Sequence, residues 1–157
     1  MKPKKVLTLT VIHDGEKILL GMKKRGYAAG RWNGFGGKLE VGETIEAGMK
    51  RELNEESGLV STNHEKIGVL TFHSDEEEHI SEVHLYRIHD YEGDLIETEE
   101  MRPQWFDFED IPYTEMWPDD IIWLPLVLGG KKVVGNIYFE DSNTIKSHDI
   151  RPVDFVI

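Results

Sequence analysis

Glu52, Glu55 and Glu56 stand at i, i+3 and i+4, so on a helix they share one face. Three like charges held together repel, weaken the helix and raise one another's pKa unless a hard divalent cation takes their oxygens. Magnesium suits them, because it keeps several waters and is readily shared between carboxylates and substrate phosphates. Upstream, Gly34-Phe35-Gly36-Gly37 lets the backbone turn sharply and bring carbonyl or amide groups close to a metal or phosphate. Arg51 can pair with Glu43 across two helical turns and hold the glycine loop onto the helix. Taken alone, the glutamates are better explained as an ordinary acidic helix after a glycine loop. The complete spacing argues for chemistry: Gly37, Glu43, Arg51-Glu52-Leu53, Glu55-Glu56 and Gly58-Leu59.

Such a set needs a scaffold. Val6 to Ile12 and Ile18 to Met22, joined by the turn-like His13-Asp14-Gly15, predict an opening hairpin, followed by a loop from Gly26 to Gly37. Thr44 to Ser57 predicts a helix with Ile45, Met49 and Leu53 on one stripe and Gly58 as its stop. Further strands are expected at Lys66 to Phe72, Glu82 to His89, Trp105 to Asp107 and Val133 to Phe139. Asp119 and Asp120 sit where they can cap a second helix, which Pro125 makes short or irregular. No repeat, linker or composition break divides residues 1–157, so the expectation is one α/β domain, a mixed β-sheet flanked by helices.

The composition narrows the function. A hydrophobic share of 39% supplies a core, and the lack of cysteine excludes disulfides, thiolate metal sites and a cysteine nucleophile. A net charge of −12 argues against a general nucleic-acid binder. A small phosphate ligand would need a cation and the basic cluster Lys23, Lys24, Arg25, Arg31 and Lys38. No run is long enough to span a membrane, and the start enters a strand directly, so a soluble, cytoplasmic, monomeric protein without a cleaved signal is expected. Glu76 to Glu78 read as a polar loop tip. His73, His79 and His84 lack tight ligand spacing and are expected to face solvent rather than hold zinc.

The spacing from Gly37 to Leu59 resembles the signature of the Nudix hydrolases at every specified position. The resemblance implies a Nudix fold, an α/β/α sandwich, with residues 37–59 as the Nudix box. It also implies hydrolysis of a nucleoside diphosphate linked to another group, with magnesium or manganese on the helix glutamates. The likeness extends through Gly21 to Gly26, Gly30 to Lys38, Met101-Arg102-Pro103 and Met116 to Asp120 to the branch that hydrolyses oxidised purine nucleoside triphosphates. It implies that Thr8, Asn33, Phe72, Met101, Trp117, Asp119 and Asp120 form a base pocket, and that Lys23, Tyr27, Phe35 and Lys38 lie along the substrate. Tyr27 departs from the phenylalanine expected there. The resemblance further implies that Glu100, with backbone carbonyls at Gly36 or Gly37, joins the metal site.

The pocket also makes chemical sense on its own terms. Trp117 and Phe72 offer flat apolar surfaces, Met101 an adaptable filler, and Asn33 with the two aspartates a hydrogen-bonding edge. The expected reaction is attack of metal-activated water on the triphosphate, giving the monophosphate and pyrophosphate, with Arg51 beside the carboxylates and either Glu56 or Glu52 as base. Alternative readings keep the chemistry but act on RNA 5′ ends or another nucleoside diphosphate derivative, or keep the fold as a nucleotide sensor.

Overall fold

The structure, a computed structural model, describes residues 1–157. The opening hairpin forms as expected from β1 (Lys4–His13) and β2 (Lys17–Lys23), with Asp14 accepting the N–H groups of Glu16 and Lys17 in the turn. The two strands pair only at Ile12–Leu19 and His13–Ile18, at the end of β1 next to the turn. The rest of that β1 edge is taken by the glycine loop, which bridges it at Leu7–Lys38 and Thr10–Phe35. Within the expected loop lies a two-residue strand, β3 (Trp32–Asn33), which takes over the edge of β2 that β1 leaves, pairing at Gly21 and Met22.

Helix α1 (Ile45–Ser57) is capped by Thr44, whose hydroxyl accepts the Ala47 N–H, and ends at Gly58 in the left-handed region at φ 81°. Strands β4 (Val60–Ser74) and β5 (Ile80–Glu92) form the long central hairpin, and both outrun the expected spans. β6 (Met101–Asp107) starts before the expected Trp105 because Pro103, which has no N–H, is tolerated on a strand that pairs only with β2. Two single 3-10 turns follow, at Phe108–Asp110 and Tyr113–Glu115. The short α2 (Asp120–Leu128), carrying Pro125, then leads into β7 (Lys132–Asp141), β8 (Thr144–His148) and β9 (Arg151–Val153). The sequence reading did not find the last two strands.

The nine strands make one mixed sheet in the order β3-β2-β1-β5-β4-β7-β8, with β6 also on β2 and β9 also on β7. β1 is parallel to β5, and β4 is parallel to β7. Alternation along the strands divides the core. Ile12, Leu19, Tyr86 and Ile88 pack with Phe35 against Met49 and Leu53 of α1, while Val11, Ile18, Leu20 and Leu85 pack with Trp123, Leu124 and Val127 of α2. The sheet is thus covered by one helix on each face, an α/β/α sandwich. No helix is long and apolar enough to cross a membrane.

Candidate active site

Arg51 organises the acidic end. Its Nε and NH2 donate to the two oxygens of Glu43 at 2.7 and 2.9 Å, its NH1 donates to Glu52 at 3.0 Å and Glu55 at 3.3 Å, and its NH2 reaches the Lys38 carbonyl at 3.2 Å. One guanidinium therefore ties the glycine loop to α1, as the spacing suggested. The fork holds the Glu43 carboxyl down to about 2 and raises Arg51 itself. A Cβ at Gly37 would meet the Glu52 carboxyl carbon at 2.7 Å and push that side chain aside, whereas one at Gly36 would collide with the Thr8 carbonyl oxygen on fixed backbone, so Gly36 is the position where only glycine fits.

Glu56 is buried and its Oε1 accepts the Gly36 N–H at 2.8 Å. Burial pushes its carboxyl up to about 7 against the pull of that N–H, and the neighbouring charges of Glu52 and Glu100 add to the rise. Glu52 is raised by burial as well, partly offset by Arg51. Glu55 and Glu100 are solvent-exposed, and Glu100 faces Arg25 at 3.4 Å. No three acidic or histidine side chains converge as a closed metal cage. An open set of hard carboxylate oxygens on one helix face, with two of them destabilised by burial and mutual repulsion, nevertheless fits a divalent cation that also takes oxygens from a substrate. Of the two loop carbonyls, that of Gly37 accepts the Thr8 N–H at 2.9 Å.

From Glu56, Lys23, Gly36 and Gly37 a cavity of about 510 Å³ runs across the α2 face of the sheet. Its walls include Thr8, Asn33, Phe72, Met101, Trp117, Asp119 and Asp120, so the structure gathers the seven expected base-pocket residues in one space. Trp117 meets the edge of Phe139, which stacks on Phe72, with ring centroids 6.1 Å apart in both pairs. Asp119 Oδ2 accepts the Trp123 indole N–H at 2.8 Å, while its Oδ1 is buried without a partner. Asp120 Oδ2 accepts the backbone N–H of Trp117 at 3.1 Å. Burial pushes Asp119 up to about 6 and Asp120 well above the usual carboxylate range, the latter helped by the charge of Asp119. Thr8 Oγ1 is another buried polar atom without a partner on the cavity wall.

Several expectations need correction. Phe35 is fully buried in the core between the sheet and α1, because its neighbours on β1 bridge the loop and turn the ring inward, so it touches no substrate space. Lys38 is exposed and lies outside the cavity, and the part of it that the structure ties to the site is its carbonyl, which accepts the Arg51 NH2. His84 is buried rather than solvent-facing, bonded to Glu82 at 2.8 Å, and His73 and His79 are half-buried on the cavity wall. The basic cluster disperses: Lys24 pairs with Glu97 and Arg25 with Glu99, while Lys23 and Arg31 line the cavity. Glu76 and Glu77 belong to the cavity rim, where Glu77 faces Tyr27 and adds to the upward push of burial on the phenol.

Sequence reasoning missed Arg31 and Trp123 as pocket residues. Arg31 places its Cζ 4.2 Å from the Trp117 ring centroid. Trp123 was findable, since Asp119 and Trp123 are four residues apart and α2 puts them on one face.

Residues 1–127 match the family model of the NUDIX domain. The chain is 47% identical over 150 residues to the oxidized purine nucleoside triphosphate hydrolase of Danio rerio, covering 96% of each chain. It is also 47% identical over 154 residues to the same-named protein of Mus musculus, covering 98% of this chain and 99% of that one. In structure it is similar to a MutT protein of Bacillus halodurans, with a TM-score of 0.82, 23% identity, and coverage of 93% of this chain and 97% of that one, a likeness of fold. The Arg51-bound glutamates, the loop that reaches them and the match over most of the chain lead to one conclusion: the chain belongs to the Nudix hydrolase family.

Proposed function

We propose that the protein hydrolyses oxidised purine nucleoside triphosphates to the monophosphate and pyrophosphate, clearing damaged nucleotides before they can be polymerised. The observation that carries this reading is the cavity itself, where an aromatic wall and two buried carboxyl groups open at the other end onto Glu56 and Lys23. The 47% identity to two hydrolases named for oxidised purine substrates supports it.

Recognition would rest on Asp119 and Asp120. Oxidation at the eight position of guanine turns N7 from an acceptor into a donor, while the six position keeps a carbonyl acceptor. An ionised carboxylate only accepts, so contact with both groups needs one aspartate ionised and the other protonated. Two adjacent buried carboxyls favour that state, because the second ionisation is resisted by desolvation and by like charge. An oxidised adenine or a methylated purine would be read by exchanging which group donates.

Glu52, Glu55, Glu56 and Glu100, with the Gly36 carbonyl in preference to the already bonded Gly37 carbonyl, would hold magnesium or manganese. When bound, the cation neutralises the triphosphate and makes a water acidic enough to attack. Glu56 or Glu52 accepts the proton as the water oxygen bonds to phosphorus and pyrophosphate leaves. Arg51 keeps Glu52 aimed and the glycine loop seated. Lys23 offsets phosphate charge at the cavity end nearest Glu56.

The test is pyrophosphate release from a panel of oxidised, methylated and ordinary nucleoside triphosphates, with capped RNA ends alongside, with and without magnesium or manganese. Preferential turnover of oxidised purines supports the reading. Preference for RNA ends, or binding without turnover, would replace it with one of the rival readings.

A further inference from the structure

Arg31 has no place in the phosphate chemistry, yet its surroundings are unusual for an arginine. NH1 is buried with no oxygen or nitrogen partner, NH2 donates to Asn143 Oδ1 at 2.6 Å, and the guanidinium lies over the Trp117 ring at 4.2 Å. Asn143 in turn donates its N–H to Asp141 at 2.8 Å, in the turn between β7 and β8 that forms part of the cavity wall. Through its backbone, Arg31 accepts the N–H of Lys23 at 3.1 Å. Arg31 as a whole is half-buried, but a charged N–H shut off from solvent without an acceptor is costly, and the ring face of Trp117 compensates only part of that cost. The remaining compensation must come from negative charge in the same cavity.

We propose that Arg31 is a positioning residue of the base pocket: it holds the Trp117 ring and the β7–β8 turn in place and supplies the fixed positive charge opposite the Asp119–Asp120 pair. The inference rests on the reading of this cavity as the base site. Arg31, Trp117 and both aspartates share its wall, and the Trp117 N–H bonded to Asp120 links the stacked ring directly to the acid pair. One positive charge and two carboxyl groups reach neutrality in the cavity when one carboxyl is ionised and one keeps its proton. That is the donor-and-acceptor state an oxidised guanine needs. The Arg31 charge lowers both carboxyls against the upward push of burial, favouring loss of one of the two protons. Tyr113, from the 3-10 turn before α2, feels the charge of Asp120, and burial raises further a phenol that is already neutral at physiological pH; Tyr27, His73, His79, Glu76 and Glu77 line other parts of the same cavity. Lys23 and Glu56 are charged or titratable groups at the phosphate end of the same cavity.

The experiment measures binding of the nucleoside 8-oxo-2′-deoxyguanosine, which carries no phosphate to meet Glu56 or Lys23, from about pH 5 to about pH 9, so that the titration of Glu56 is common to every protein compared. The proteins are the wild type, Arg31→Met, Arg31→Gln, Arg31→Lys, Trp117→Ala and Asp119→Asn. For the wild type a maximum is expected where the pair holds one proton. Without the Arg31 charge both ionisations rise, so the maximum of Arg31→Met should move up by about one pH unit, with binding about tenfold weaker at neutral pH. Arg31→Gln is the second charge-free variant and should move the same way. Arg31→Lys keeps the charge but not the flat stack, so its maximum stays in place while affinity falls. A maximum unmoved in both charge-free variants overturns the proposal, since a purely structural loss weakens binding without shifting its pH dependence. If Trp117→Ala and Asp119→Asn bind like the wild type, the base-site reading fails first, and the role of Arg31 fails with it.

Discussion

At the scale of single residues, the buried carboxyls separate into two kinds. Glu56 is a carboxylate whose ionised form suits a cation, so Glu56→Gln, which keeps shape and removes charge, should lower turnover by about a hundredfold or more with the fold intact. Steady-state rates at saturating magnesium check this, and unchanged rates would remove Glu56 from the cation site. Trp117→Ala should raise KM for purine triphosphates by about tenfold or more, since a stacking contact worth about 1–3 kcal/mol is lost. Pyrimidine triphosphates should be little affected; equal losses on both would make Trp117 core packing. Asp119 and Asp120 have no metal cation to meet, and the pair is relieved of charge by keeping a proton between them. Burial pushes Asp119 up to about 6 from an ordinary 3.8, and burial with the charge of Asp119 pushes Asp120 well above the same ordinary value. Their contribution to stability is therefore complete below the unfolded value and is lost as pH rises through the folded ones. Thermal melts should show wild-type stability declining between about pH 4 and neutrality, and Asp120→Asn, which can still accept the Trp117 N–H, should flatten that decline. A parallel decline in the variant would place the pH sensitivity elsewhere.

At the scale of elements, the junction between α1 and β4 is exposed to backbone strain. Gly58 closes the helix at φ 81°, and a Cβ there would lie 2.5 Å from the Asp94 carbonyl. Gly58→Ala should cost about 1–2 kcal/mol or more, read from denaturant midpoints, and should loosen the glutamate-bearing end of α1. This helix was legible in the sequence from its Thr44 cap to its Gly58 stop, because every local signal agreed with the fold. The hairpin of β1 and β2 was legible too, from β-branched and aliphatic residues in alternation before the turn-like His13-Asp14-Gly15. The polar alternation of Thr144 to His148 is largely exposed and left no apolar period for β8 to be found by, while Pro103 masked the start of β6. In the site, the carboxylates and the arginine that orders them were visible as spacing on one helix. The roles of Phe35 and Arg31 were not visible, since each depends on which way a loop residue turns. Phe35 goes under α1 because the loop zips onto β1, and Arg31 folds over a tryptophan some eighty positions later in the chain.

At the scale of the whole molecule, a net charge of −12 surrounds a site meant for a polyanion. Long-range repulsion should slow encounter with a triphosphate, most strongly at low salt, where screening is weakest. With free magnesium held constant, kcat/KM should rise severalfold as ionic strength goes from about 0.01 to about 0.15 M. A steep fall instead would indicate a dominant local basic field of the kind nucleic-acid binders use. The sheet also keeps two tasks apart. The wall with the aspartates and aromatics belongs to the α2 face, and the glutamates belong to α1 on the other, joined through the short loop bonded to Thr8 and to Glu56. Such a division has an evolutionary meaning: mutation can redraw the reader without disturbing the blade. Descendants of this architecture can exchange one nucleobase for another by drift on a single surface, while the cutting end is inherited unchanged.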